Sequence, residues 1–369
     1  MTGKLKVGLF FGGRSGEHEV SLMSARSVLN ELDQEKYQVT QIGITKEGRW
    51  LSGPDALKAF EGGDLSNLTE VTLLPDPGRT GLYSWSAENE FSLLAGLDVA
   101  FPVLHGTFGE DGTLQGYFEL AEMPYVGAGV LASSVAMDKA VFKNVMRATG
   151  IPVIDWVVLT SVELKNDMSV ALERAEQVGP YPLFTKPANM GSSVGIMRCD
   201  SRSDLVEGLQ EAARFDRRVI VERGINAREI EVSVLGNEDA QASVPGEIVP
   251  GDQFYSYKAK YFDETSELII PAKLDVALTE RTRAMALAAY QAIDGAGMAR
   301  VDFLLDRESG ELFMNEINTI PGFTKISMYP KLWEASGLTY SNLLDSLIKL
   351  AFERAAQKSR LVRSYGGAQ

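Results

Sequence analysis

The residues best suited to chemistry lie in GMARVDFLLDRESGELFMNEINTIPG. Two apolar runs flank Glu308, Ser309 and Gly310. If Arg307 pairs with Glu311, these three residues form a hairpin loop with Gly310 at its positive-φ position. That register sets Asp302 opposite Glu316. Side chains alternate along a strand, so Glu316 and Asn318 share the face of Asp302. Two carboxylates and an amide oxygen suit Mg²⁺, which takes oxygen ligands and completes its shell with water and substrate phosphates. A solvated polar face on an edge hairpin would show the same spacing. The apolar neighbours Val301, Phe303, Leu304, Phe313 and Ile317 favour the metal, because carboxylates on buried strands need a partner.

A second candidate is TKPANMGSSVGIMR, in which a lysine ends a strand and a loop of small and hydroxyl residues follows. Backbone amides of Gly191, Ser192 and Ser193 can form an anion-binding nest, with Lys186 supplying charge to phosphates. Alone this is a weak signal. The chain has no GxxxxGK[ST] loop, which argues against P-loop hydrolysis. GGRSGEHE departs from GxGxxG and lacks a ribose-binding acid on the second strand, which weakens a dehydrogenase reading. Gly12 and Gly13 then serve a tight strand-to-helix turn. Lys139, Lys260 and Arg300 would individually pass as surface charge. Lys260, however, adjoins Tyr261 in an aromatic stretch, and Arg300 precedes Asp302 by two residues. His105 follows an apolar strand in VLHGTFGEDGTLQG, at a strand end where α/β sheets often contact ligands, although a lone histidine is more often structural. Glu17 and His18 stand ahead of a helix and suit either its dipole or a ligand.

The elements that must position these residues follow from periodicity. KVGLFFGGRSGEHEVSLMSARSVLNEL reads as strand, glycine turn and helix, with apolar positions at Val20, Met23, Val28, Leu29 and Leu32. Strands are expected in QVTQIGITK, LDVAFPVLHG and PYVGAG, with a helix in LQGYFELAEM. This alternation predicts a mostly parallel sheet with helices on its faces, over residues 1–127. Asp138 is placed to cap the next helix, and Gly150 and Pro152 to stop it. Strands in WVVLT, LFTKPA, VGIMR and VIVERGI, with helices between, predict an α+β unit over 128–225. A third unit, 226–369, combines EIEVSVLG, a helix through RTRAMALAAYQAI, the hairpin and two C-terminal helices. Within it, about 247–271 lacks periodicity and is rich in aromatics, which suits a lid over a site.

The chain has 369 residues, more than one core usually organises. A net charge of −14 would repel a phosphate backbone, so nucleic acid and anionic membrane are poor partners and any anionic ligand must be held by local cations. The lone Cys199 cannot form an intramolecular disulfide. The apolar run at 7–11 is too short for a signal core, and no run reaches the length of a membrane span. A cytoplasmic protein is expected.

Taken in order, GGRSGEHEVSLMS, LHGTFGEDGTLQG, KPANMGSSVG, YSYKAKY, ARVDF and NEINTIPGFTKISMYP resemble the D-alanine–D-alanine ligases of the ATP-grasp superfamily, over nearly the whole chain. Each motif is weak, but the ordered set is specific. The resemblance implies a three-domain ATP-grasp fold, α/β then α+β, and ATP-dependent joining of two D-alanines for peptidoglycan precursor synthesis. It implies that Lys139 and Lys186 touch the ATP phosphates, with Lys260 adding charge. Adenine would lie by the segment bounded by Glu222 and Ile225, and Glu229 would hold the ribose. Glu17 would receive the first D-alanine's ammonium, near His105, and Glu17, Ser192 and Tyr261 would form a hydrogen-bonded set. Arg300 and the Gly322 amide would hold the oxyanion, and Ser327 the second carboxylate. Mg²⁺, with Mn²⁺ able to substitute, would sit on Asp302, Glu316 and Asn318, and a homodimer is expected from the resemblance alone.

The chemistry is consistent in itself. A carboxylate is a poor acyl donor, so phosphorylating it brings anions together and demands cations. Attack by an amine on the acylphosphate then creates an oxyanion that needs fixed donors, and water must be kept out. The rivals are a D-alanine–D-serine or D-alanine–D-lactate ligase and a non-catalytic ATP-binding protein of the same fold. Tyr261 speaks against the lactate branch, in which the resemblance has a histidine serve instead, and the intact metal set speaks against the non-catalytic one.

Overall fold

The computed structural model describes residues 3–85, 90–191, 194–249 and 267–362. Ser192, Ser193, Lys260, Tyr261 and most of the expected lid lie outside the described residues.

The first sheet grows from β1 (Leu5–Gly12), whose Val7, Leu9, Phe10 and Phe11 are fully buried. A continuous apolar run of this kind marks a strand covered on both faces. Gly12 turns the chain at φ +86°, and a Cβ there would stand 2.3 Å from the Ile44 carbonyl oxygen, so only glycine fits. Helix α1 (His18–Glu31) follows and buries Val20, Leu22, Ala25 and Val28. Strands β2 (Tyr37–Ile44), β3 (Trp50–Ser52), β4 (Thr69–Leu73), β5 (Leu82–Trp85), β6 (Phe91–Ala95) and β7 (Val99–Pro102), with α2 (Ala56–Gly62), complete the order β6-β5-β4-β3-β2-β1-β7.

Only β2-β1-β7 is parallel; β3 to β6 extend the sheet antiparallel. The expected parallel core is therefore present but shorter than the sequence suggested. The added strands run three to five residues, and β6 is almost wholly exposed, so they leave little periodic signal. PYVGAG is not a strand: it makes a single bridge, Ala100 to Tyr125. Helix α3 (Thr113–Leu120) lies where expected.

Helices α4 (Val130–Met137) and α5 (Lys139–Ala148) lead onward, and Asp138 caps α5 by accepting from the Val141 amide at 3.0 Å. The second sheet holds β8 (Trp156–Thr160), β9 (Leu183–Pro187), β10 (Met197–Cys199) and β11 (Arg218–Arg223) in the antiparallel order β10-β9-β11-β8. Helices α6 (Ser161–Asn166), α7 (Met168–Glu176) and α8 (Arg202–Ala212) belong to it, closing a core around Leu159, Leu183, Leu209 and Val221.

The third sheet is antiparallel, ordered β15-β14-β12-β16-β17 with β13 on β12. Its strands are β12 (Ala227–Leu235), β13 (Gln241–Ala242), β14 (Gly246–Val249), β15 (Glu267–Ile269), β16 (Met298–Asp306) and β17 (Leu312–Asn318). Helix α9 (Val276–Ala292) packs Ala286, Ala289 and Tyr290 into a core with Ile230, Val232, Val301 and Phe303. Helix α10 (Met328–Ala335) follows. The last, α11 (Tyr340–Ser359), returns to the first sheet, burying Leu343, Leu344 and Leu347 in one core with Phe101 and Val28. Arg354 pins this return: its guanidinium donates to the Gly127 carbonyl and, at 3.0 Å, to that of Tyr125. No helix of the described residues is long and apolar enough to cross a membrane.

Candidate active site

A cleft of about 1390 Å³ opens where the three sheets meet. The first sheet contributes the loops after β1 and β7, carrying Glu17, His105 and Glu110. Both leave the carboxyl ends of adjacent parallel strands, where open α/β sheets bind ligands. Lys186 on β9 and Glu222 on β11 form a second wall, with Lys139 beside them. Ile225, Glu229, Arg300, Glu316, Asn318, Gly322 and Ser327 line the rest. Thus the described residues singled out as ligand candidates border this one space except two. Asp302 is buried beside Arg300 and Asn318. His18 is the first residue of α1 rather than ahead of it, and is buried with Nδ1 2.9 Å from the Gly13 carbonyl.

The hairpin carries the acidic patch. Its tip differs from expectation: Asp306, not Arg307, opposes Glu311, with the Asp306 amide donating to the Glu311 carbonyl at 2.9 Å. The loop is one residue longer, and Gly310 keeps its positive φ of +71°. A register shift between Asp302 and Phe303 then restores the expected pairing of Asp302 with Glu316. The loop residue and the bulge offset each other, since either alone would turn one strand's side chains to the wrong face.

Asp302 receives a two-pronged contact from Arg300, Nε to Oδ1 at 2.7 Å and Nη2 to Oδ2 at 2.6 Å. Asn318 Nδ2 donates to Asp302 Oδ2 at 2.9 Å. Glu231, opposite Asp302 on β12, stands 3.0 Å from Arg300 Nε and is equally buried. Among the described residues no three His, Cys, Asp or Glu side chains are disposed to hold a metal, so a set of two carboxylates and an amide is what this patch offers. The all-oxygen donor set fits a hard divalent cation.

Across the cleft, Lys139 Nζ donates to the Met190 carbonyl at 2.6 Å. Lys186 Nζ lies 2.5 Å from Glu222 Oε2, and Lys143 Nζ 3.2 Å from Glu222 Oε1. Burial opposes the charge on Glu222, but the two ammonium groups prevail and hold its pKa down at about 2. The same burial lowers Lys143. Lys143 was not legible in the sequence, where it is one more basic residue on an amphipathic helix.

His105 is buried, with Nδ1 2.9 Å from the Ile320 carbonyl and Nε2 2.9 Å from Ser24 Oγ. The carbonyl requires a proton on Nδ1, so Nε2 accepts from the serine. Burial lowers the His105 pKa and favours this neutral form. The Ser24 hydroxyl also receives the Phe323 amide at 3.3 Å. His105 thus fixes the 319–324 loop, which carries Gly322. In that loop a Cβ on Gly322 would stand 2.9 Å from Ser327 Oγ, and Ser327 Oγ lies 2.7 Å from Thr324 Oγ1. Glu110, also missed, is partly buried on the cleft wall and accepts from the Gly106 amide at 2.6 Å and the Ile320 amide at 3.2 Å.

Two antiparallel sheets facing each other across lysines and an acidic hairpin, with a mixed sheet presenting the ends of its parallel strands on the third side, define an ATP-grasp enzyme. A family model described as D-ala D-ala ligase N-terminus matches residues 6–128, and one described as D-ala D-ala ligase C-terminus matches 145–349. A D-alanine–D-alanine ligase of Thermoanaerobacter sp. (strain X514) is 50% identical over 360 residues, 97% of this chain and 99% of its own. The solved D-alanine-D-alanine ligase from Coxiella burnetii aligns with a TM-score of 0.82 at 36% identity, over 98% of this chain and 97% of its own. The VanG D-Ala:D-Ser ligase from Enterococcus faecalis gives 0.83 at 34%, over 95% of this chain and 100% of its own. The chain belongs to the D-alanine–D-alanine ligase family.

Proposed function

We propose that the protein joins two D-alanines through an acylphosphate, converting ATP to ADP and phosphate in peptidoglycan precursor synthesis. The observation that carries this reading is the 50% identity to a D-alanine–D-alanine ligase over 97% of the chain. The cleft supports it by gathering Glu17, the lysines and the acidic hairpin around one volume.

In this reading Lys139 and Lys186 bind the phosphates, Glu222 and Ile225 border the adenine, and Glu229 holds the ribose. Glu17 takes the first ammonium near His105, Ser327 the second carboxylate, and Arg300 with the Gly322 amide the developing oxyanion. Ser192, Lys260 and Tyr261 keep the parts the resemblance gives them. Asp302, Glu316 and Asn318 would hold Mg²⁺ or Mn²⁺, which supplies counter-charge to the polyphosphate during transfer. The work divides among residues 1–127, 128–225 and 226–369, and each stretch carries its own sheet. A cytoplasmic homodimer belongs to the same reading.

The test is turnover. Purified protein with MgATP and D-alanine should release phosphate and form the dipeptide, read by chromatography. Equal turnover with L-alanine would sink the reading, and so would phosphate release that ignores D-alanine. Adding D-serine or D-lactate in competition ranks the acceptors. The fold cannot rank them, since a D-Ala:D-Ser ligase aligns as well as a D-alanine–D-alanine ligase.

A further inference from the structure

Lys143, on α5, has its side chain 2% exposed. A buried ammonium is costly unless it is paired. Its partners are Glu222 Oε1 at 3.2 Å and the Ile154 carbonyl at 3.4 Å, with the Trp156 ring centroid 5.5 Å away. Lys143 is too enclosed to reach a ligand, yet its carboxylate partner is the one that grips Lys186 at 2.5 Å.

The charges decide what this does. Lys186 and Glu222 alone sum to zero, so a phosphate approaching Lys186 would meet a nearly cancelled field. Lys143 holds the other oxygen of that carboxylate, so Glu222 divides its charge between two ammonium groups and does not cancel Lys186 alone, in an enclosed place where screening by water is weak. Resting on the nucleotide reading above, we propose that Lys143 is a positioning residue of the nucleotide subsite: as counter-ion to Glu222, it leaves the charge of Lys186 available to the ATP phosphates. A purely structural role, tying α5 to β11, would make the same contacts but would not discriminate between ligands with and without phosphates.

The experiment is a cycle of wild type, Lys143→Met, Glu222→Gln and the double variant, with ADP and adenosine affinities measured by calorimetry. Lys143→Met should weaken ADP by about tenfold or more and leave adenosine nearly unchanged. In the Glu222→Gln background the same substitution should cost little ADP affinity, because no carboxylate is left to neutralise. Equal losses in both backgrounds, or equal losses for ADP and adenosine, overturn the proposal. If Lys143→Met does not fold, Lys143→Gln takes its place, since it can still donate to the Ile154 carbonyl. If neither folds alone, the Glu222→Gln background decides: an ADP loss there rejects the role and none supports it. Wild type that binds neither ligand would refute the nucleotide reading itself.

Discussion

The carboxylate of Glu17, ahead of α1, lies against the backbone of Gly191, in the loop after β9: a Cβ on Gly191 would stand 2.8 Å from Glu17 Oε2. Gly106 crowds the same oxygen from another side, at 2.5 Å. The proposed ammonium receptor is thus set by two glycines in loops that follow strands of different sheets, and one added methyl must displace it.

Gly191→Ala should therefore lower kcat/KM for D-alanine about ten- to a hundredfold, the scale on which small misplacements act. Gly106→Ala should do the same and also lose stability, because residue 106 sits at φ +74°. Steady-state kinetics with circular dichroism as a fold control check both. A Gly191→Ala enzyme with wild-type kcat/KM would show that the Glu17 carboxylate has no fixed task.

The acidic hairpin yields the second prediction. Glu316→Gln or Asn318→Ala should reduce kcat on the order of a hundredfold, at least matching what loss of an outer-shell partner costs a metal site. Thermal stability should change little, since both residues are only partly buried at the cleft wall. Wild-type turnover in both variants would return the patch to a solvated polar face.

This hairpin also marks how far sequence reasoning reaches. Asp302, Glu316 and Asn318 were placed correctly because strand alternation is a local rule, although the loop tip and the bulge were both misjudged and cancelled. Glu110, Lys143, Glu231 and Arg354 were invisible for one reason: their partners lie far along the chain. Glu110 meets residue 320, Lys143 meets residue 222, and Arg354 reaches residues 125 and 127. A buried charge is recognisable only once its counter-charge is in space beside it. The antiparallel strands β3 to β6 escaped for another reason, being short and exposed enough that their pattern resembles loop.

The third prediction concerns Glu110. Burial, aided by the neighbouring charge of Glu17, raises its pKa to about 8 in the folded protein, against about 4.3 for an unperturbed glutamate. Between those values the folded state holds a proton that the unfolded state has released. Stability therefore falls as pH rises through this window and levels off above about pH 8, with a limiting slope of about 1.4 kcal/mol per pH unit for one proton. Glu110→Gln removes this titration. It also costs a constant amount, since both oxygens of Glu110 accept backbone amides and a glutamine keeps one. The difference between wild-type and variant Tm should thus shrink steadily from pH 5 to 8, wild type losing its advantage, and then stay flat. Taking the difference removes the contribution of titrating groups remote from Glu110. Parallel curves across that window would mean that Glu110 is ionised in the folded protein and that its burial does not govern its charge.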